Sequence, residues 1–405
     1  MNQRVIDRYL HWAAALSVIV ICLAGSISVA LAVRLPAGDE FNALDWQLRN
    51  APGKWLYLGG RLVHGRLSQD EENARLGRYI VLTARIGQLE RDEASQPEID
   101  RLRDERDRLE NDVEAVLEGR LTTLLEEQGL ESSLPLFPEA RFVFPPVDVE
   151  LDDTPNVLVV SPRDRIELTE QRSLRADLGP NGASEIESKI EAGGTRSALV
   201  DGLAGVALYP SVVAPRGSYQ ALAETTAHEW VHQHLSFKPL GVRYFSSLEL
   251  RTLNETVADI VGQELGAQLV ERYPLAEPYA SELAALTRDA SPVDVGAALR
   301  QLRKDVDVLL AQGQIDRAEA LMEQRRQELA NQGAYFRRIN QAFFAFRNLY
   351  ANDPASTDPI GRKLSTLRER EGSTGAFLRA AAKLTSAAAL DKLLGTTAAG
   401  GRERR

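Results

Sequence analysis

Ala227-His228-Glu229-Trp230-Val231-His232-Gln233-His234 holds three of the chain's five histidines. On an α-helix, residues four apart stand one above the other on one face, so His228 and His232 can offer two imidazole nitrogens to one metal ion. Glu229, one position on, leans toward the open side of that ion, where a carboxylate can take a proton from water. The run from Tyr219 to Phe237 contains neither Gly nor Pro, follows Ser218 as a candidate N-cap and stops before Pro239. Leu222, Thr226, Trp230 and Leu235 are its expected core contacts. The motif therefore sits mid-helix. His234 lies about 200° around the helix from His232 and is expected at the surface or beside a ligand, not on the metal.

Zinc in a hydrolase takes three protein ligands and leaves a fourth position to water. The next periodic stretch, Leu253-Asn254-Glu255-Thr256-Val257-Ala258-Asp259-Ile260-Val261-Gly262, puts Glu255 and Asp259 on one face, with Leu253, Val257, Ile260 and Val261 around them. His-Glu-x-x-His followed by Glu-x-x-x-Asp on the next helix resembles the gluzincin branch of the zincin metallopeptidases. That resemblance implies His228, His232 and Glu255 as ligands of one Zn²⁺ and Glu229 as general base. It also implies that Asp259 accepts a hydrogen bond from a ligand imidazole and sets its tautomer. Twenty-two residues separate His232 from Glu255, so the loop around Lys238 to Ser246 is expected to be longer than in compact members.

A looser similarity, over about residues 195–380, is to an uncharacterised bacterial family of predicted aminopeptidases with a His-Glu-x-x-His-Gln helix and an Asn-Glu helix. It adds Asn254 beside the ligands. The Gly-x-Met-Glu-Asn signature of a better-known gluzincin aminopeptidase family is missing, since Met1 and Met322 are the only methionines. Endopeptidase and aminopeptidase readings both stay open.

Upstream, Arg196 to Val200 and Leu203 to Tyr209 read as two strands joined by an Asp201-Gly202 hairpin turn. In zincins the strand before the motif helix is the sheet edge along which an extended substrate lies, a role that falls here to residues 203–209. Peptide hydrolysis also needs an oxyanion donor, and no histidine follows His234. The aromatic and basic run from Tyr335 to Tyr350 is the expected source, with Tyr335 and Tyr350 as the catalytic candidates and Asn340 beside them.

Trp12 to Val33 is 22 residues without a charge, long enough at 1.5 Å per residue to cross a hydrocarbon core of about 30 Å. The expectation is a single-pass anchor over 12–33, with Ala30-Leu31-Ala32 as the alternative of a cleaved signal. Arg4 and Arg8 precede it, which favours a cytoplasmic N-terminus and an extracytoplasmic body, although Arg34 and Arg49 weaken the bias. Cys22 is the only cysteine, so a disulfide within the chain is excluded. The net charge of −10 disfavours nucleic acid as a partner.

The expected class is α+β and mostly helical, a zincin-like domain with a small sheet beside the motif helix. The chain divides into 1–34 (tip and anchor), 35–134, 135–397 and a Gly- and Arg-rich tail over 398–405. Trp46 and Trp55 sit after the anchor, near the membrane interface or in a core. Residues 68–94 and 97–128 suggest a charged helical hairpin standing as a stalk, and the spacing of Leu102, Leu109 and Val116 raises self-association through it. Strands are expected around Phe142 to Val149 and at 156–160, and a second charged hairpin over 293–331 should turn near Gly313. The expected partner is a peptide or protein substrate. Two other readings use the same residues: a zinc-stapled adaptor without turnover, and a zinc amidohydrolase acting on a non-peptide cell-wall amide.

Overall fold

The computed structural model describes residues 38–50, 67–92, 94–134, 137–287 and 293–395. The expected span over 12–33, Trp55 and the tail over 398–405 lie outside them. Among the described residues, no helix is long and apolar enough to cross a membrane. The architecture is mostly helical α+β with small sheets.

After a short helix over 43–50 come α1 (Gln69–Arg91), α2 (Gln96–Asp107) and α3 (Glu110–Glu127). α1 opens on a capping box, in which Ser68 and Glu71 each satisfy the other's backbone N–H. These helices do not stand apart as a stalk. Leu76, Ile80, Val113, Leu117 and Leu121 share one core with Leu222, Trp230, Leu253 and Val257. The expected second helix breaks at Arg108 and Leu109, so Leu102 packs with Leu82, Ile86 and Ile99 while Val116 enters the main core. The spacing of seven therefore forms no continuous seam. The apolar stripes of α1 and α3 are removed from water in the core they share with the motif helices, and that of α2 against α1.

β1 (Glu131–Leu134) and β2 (Phe137–Val143) form an antiparallel pair. β3 (Val149–Leu151), β8 (Ser211–Val213) and β7 (Gly205–Val206) make a second sheet in that order, parallel then antiparallel, with β7 at its edge. The third sheet runs β5 (Glu170–Leu174), β4 (Asn156–Pro162) and β6 (Arg196–Gly202), all antiparallel. In β4, Val157 and Val159 face one side and Leu158 and Val160 the other, as side-chain alternation requires. α4 (Pro180–Glu191) covers one face; α9 (Val295–Ala311), α10 (Ile315–Asn331) and α11 (Gln341–Arg347) cover the other. α9 and α10 turn at Gly313 (φ 71°), where the sequence placed the turn.

The expected hairpin at Asp201-Gly202 does not form. Both residues end β6, which pairs along its whole length with β4, from Pro162 opposite Arg196 to Asn156 opposite Gly202. The chain then leaves for the other sheet, where only Gly205–Val206 of the expected strand is extended. β4 is buried on both faces, so pairing β6 with it buries Leu199 on one side and Ala198 and Val200 on the other. A local hairpin would leave those faces uncovered.

The motif helix is α5 (Tyr219–Leu235), followed by α6 (Pro239–Val242), α7 (Leu248–Arg272) and α8 (Glu277–Leu286). Ser218 and Ser247 cap α5 and α7 by accepting from the N–H groups of Ala221 and Leu250. The expected core contacts Leu222, Thr226, Trp230 and Leu235 are all buried. α7 approaches α5 at glycines: a Cβ on Gly262 would meet the Glu224 carbonyl and the His228 Cβ at 3.0 Å, and one on Gly266 would meet the Glu224 nitrogen at 2.8 Å. α12 (Ile360–Arg370), α13 (Thr374–Ala381) and α14 (Ala387–Leu394) close the main core from outside.

Candidate metal centre

Three donor atoms converge where α5 meets α7. His228 Nε2 lies 3.0 Å from His232 Nε2, and Glu255 Oε2 lies 3.6 Å from the first and 3.2 Å from the second. A tetrahedral zinc site with bonds of about 2.0 Å needs donors about 3.3 Å apart, and these spacings bracket that value. The carboxylate is almost wholly buried, and each imidazole side chain keeps 14% exposure, so the group is not sealed from solvent. His228, His232 and Glu255 could therefore hold a metal ion.

The surroundings set the protonation of the ligands. Asn254 Oδ1 accepts from His232 Nδ1 at 2.7 Å, which orients the ring so that Nε2 faces Glu255 and His228. The Tyr244 hydroxyl donates to Glu255 Oε1, leaving Oε2 toward the histidines. The Tyr244 ring stands edge-on to His232 at 6.1 Å and is covered on another side by the Arg251 guanidinium at 5.4 Å. Burial pulls the His232 imidazole down, but the Glu255 charge and hydrogen bond outweigh it and leave the group at about 9. Glu255 is disfavoured as an anion by burial, yet the two histidines hold it well below the ordinary carboxylate range. The three groups thus form one electrostatic unit in which a cation is strongly preferred.

Glu229 is buried beside this unit, and burial raises its carboxyl pKa against the opposing pull of His228 and His232. The Gly205 backbone lies against it, so the β7 edge passes directly over the carboxyl. Asp259 does not make the expected imidazole bond. Its carboxylate accepts instead from Asn352 at 2.6 Å and Gln263 at 3.0 Å, near enough to His228 for their charges to interact. The imidazole bond is made instead by Asn254, the residue before Glu255 on α7, to His232.

The structure separates the two tyrosine candidates. Tyr350 packs against His228 with ring centroids 6.2 Å apart, and burial followed by the charges of Glu255, Glu229 and Asp259 holds its phenol well above the ordinary range. Tyr335 is 76% exposed, beside Arg326 and Arg337. Asn340 caps α11 by accepting from Phe343 N–H and donates to the Ala198 carbonyl, so it is occupied in structure. His234 is buried, not superficial: it stacks on Trp230 and bonds the Phe144 carbonyl at 3.0 Å, and burial lowers it to about 4.

Tyr244, Asn352 and Gly205 were not legible as site residues. Tyr244 is the only tyrosine between the two metal motifs, which is the one sequence signal that could have drawn attention to it. Asn352 and Gly205 carry no local pattern. Comparison with models of protein families, with curated proteins and with solved structures gives no match in any of the three. What is defined is a mostly helical α+β protein with a buried His-His-Glu group able to hold a metal ion.

Proposed function

We propose that this chain is a zinc-dependent metallopeptidase, held at a membrane through residues 12–33 with its body outside the cytoplasm. The observation that carries the reading is the convergence of His228, His232 and Glu255 within 3.6 Å of one another, with the buried Glu229 carboxylate between them and the β7 edge. When bound, zinc acidifies water and polarises a carbonyl oxygen at the position the protein leaves open.

The chain's own residues do the rest. Glu229 accepts a proton from the attacking water and passes it to the leaving nitrogen, which keeps both transfers on one carboxylate. Asn254 fixes the orientation of the His232 ring, and Tyr244 fixes which Glu255 oxygen faces the histidines. Tyr350 stays protonated and supplies the phenolic donor for the carbonyl oxygen as it becomes an oxyanion. Gly205 and Val206 have no strand on their outer side among the described residues, so their main chain is the edge on which an extended peptide pairs.

The test is metal content by elemental analysis of the purified chain beside H228A, E255A and E229Q, together with turnover on a panel of peptides and cell-wall amides. Near-stoichiometric zinc, lost in the first two variants and kept without peptide turnover in the third, supports the reading. Zinc that survives E255A, or turnover that survives E229Q, rejects it.

A further inference from the structure

The loop between the two metal motifs leaves an unusual surface. Eight large apolar or aromatic side chains are exposed among the described residues, and four of them, Phe237, Val242, Phe245 and Leu248, fall in this one stretch. Phe245 is 80% exposed and Val242 73%. A monomer gains nothing by holding such side chains in water, so a clustered group of them marks a contact surface.

Charge says what the contact is with. In a chain of 58 acidic residues, none occurs between Glu229 and Glu249, while Lys238 and Arg243 alternate with the exposed apolar positions. Neither basic side chain has an ion-pair partner among the described residues. Apolar tips interleaved with free cations suit an anionic lipid surface, where the tips enter the acyl boundary and the cations meet phosphate.

The entry of the chain points the same way. Phe237 packs on Phe144 at 4.8 Å, Phe144 belongs with Phe142 and Tyr209 to one aromatic cluster, and Gln47 donates to the Tyr209 carbonyl at 3.3 Å. The helix over 43–50, which also carries Leu48 at 64% exposure, is therefore on the same flank as the loop. Residue 38 follows the uncharged run 12–33 by five residues, a reach of at most about 18 Å. Asp39 and Phe41 bond Arg175 and Ser173 at β5, and Gln171 of the same strand accepts from Arg251, whose guanidinium lies 5.9 Å from the Phe245 ring, so the chain enters the body on the side that carries the loop.

We propose that residues 237–248 dock on an anionic bilayer surface, giving this protein a second membrane contact beside its metal centre. Tyr244, whose hydroxyl holds Glu255, adjoins Phe245, so docking sets the centre against the membrane and presents it to polypeptide emerging from the lipid surface. The docking itself requires neither metal nor turnover.

The experiment uses the full chain in C22S background, reconstituted into vesicles of phosphatidylcholine and phosphatidylglycerol, with an environment-sensitive fluorophore on F245C or V242C and a control on Y335C. Both loop positions are largely exposed, so the substitutions leave the core intact. Brominated lipid should quench the label at 245 and 242 about twofold or more beyond that at 335, and K238E/R243E should remove the difference. Equal quenching at all three positions overturns the proposal. So does a label at 245 that is already shielded in detergent without lipid, which would mean a second copy or a protein partner covers the loop. Metal content measured on the same samples separates this outcome from failure of the peptidase reading.

Discussion

Gly205 touches the Glu229 carboxyl so closely that a Cβ placed on it would come within 2.6 Å of Oε1. Only a residue without a side chain lets the β7 edge pass over the proposed general base. Gly205→Ala should push the carboxylate away from the metal side while leaving His228, His232 and Glu255 untouched. The expected result is full zinc content with peptide turnover reduced about 10-fold or more, since small misplacements of a reacting group are costly. Unchanged kcat/KM would mean that Glu229 does not work from this position.

The approach of α7 to α5 depends on Gly266, where an added methyl would meet the Glu224 backbone. Gly266→Ala should cost about 1–3 kcal/mol by overpacking, seen as a lower Tm. Because the same packing brings Glu255 to the histidines, zinc affinity should fall with it. A Tm loss without any loss of zinc affinity would show that the ligands adjust independently of the helix pair.

Asn254 and Tyr244 each hold one candidate ligand in place, at His232 and Glu255 respectively. Asn254→Ala and Tyr244→Phe should each weaken zinc binding by about 10- to 100-fold, measured by competition with a chromophoric chelator. Affinity at the parent level in both variants would remove their assigned roles.

Tyr350 and Tyr335 were equivalent candidates by sequence, and only Tyr350 lies against His228. Tyr350→Phe should lower kcat about 10²- to 10³-fold with zinc retained, as expected for loss of an oxyanion donor. Tyr335→Phe should leave kcat unchanged. A reversed pattern would move the donor off the metal centre.

Away from the centre, the Glu110, Glu114 and Glu150 carboxylates lie within 4.8 Å of one another. Burial, then the charges of Glu114 and Asp107, push the Glu110 carboxyl from 4.5 to about 8, against the pull of Arg106. The folded state therefore binds this proton more tightly than the unfolded chain. Its contribution to stability is complete below pH 4.5 and is lost as pH rises toward 8. Glu110→Gln removes that titration, so its Tm should fall less than the parent's between pH 5 and pH 8. Parallel Tm curves would show that Glu110 is already ionised in the folded state.

The α5 helix, its Ser218 cap and the facing of His228 and His232 followed from sequence, because helical periodicity and capping are local and need no knowledge of neighbours. Glu255 lies on a second amphipathic stretch that periodicity shows, while its expected role and the place of Asn254 beside it came from the resemblance to the zincin families. The strand β4 and the turn at Gly313 were likewise readable from apolar runs and a breaker. Where the sequence reading went astray, partners distant in the chain decided the outcome. β6 chose β4, 40 residues upstream, over its own neighbour, because β4 is buried on both faces. Asp259 found Asn352, 93 residues on, in place of an imidazole. α1 and α3 joined the main core because their apolar stripes had a motif helix to cover.

The sequence by itself determined which atoms could hold a metal and which carboxylate could act as base, since those are properties of residue type and of the 3.6-residue turn. Tertiary structure alone decided that Gly205 crosses Glu229, that Tyr244 holds Glu255 and that Tyr350, not Tyr335, stands at the centre. Those relationships join segments whose proximity is set by how buried faces pack, and no local pattern encodes a contact with a residue that the chain meets only after folding.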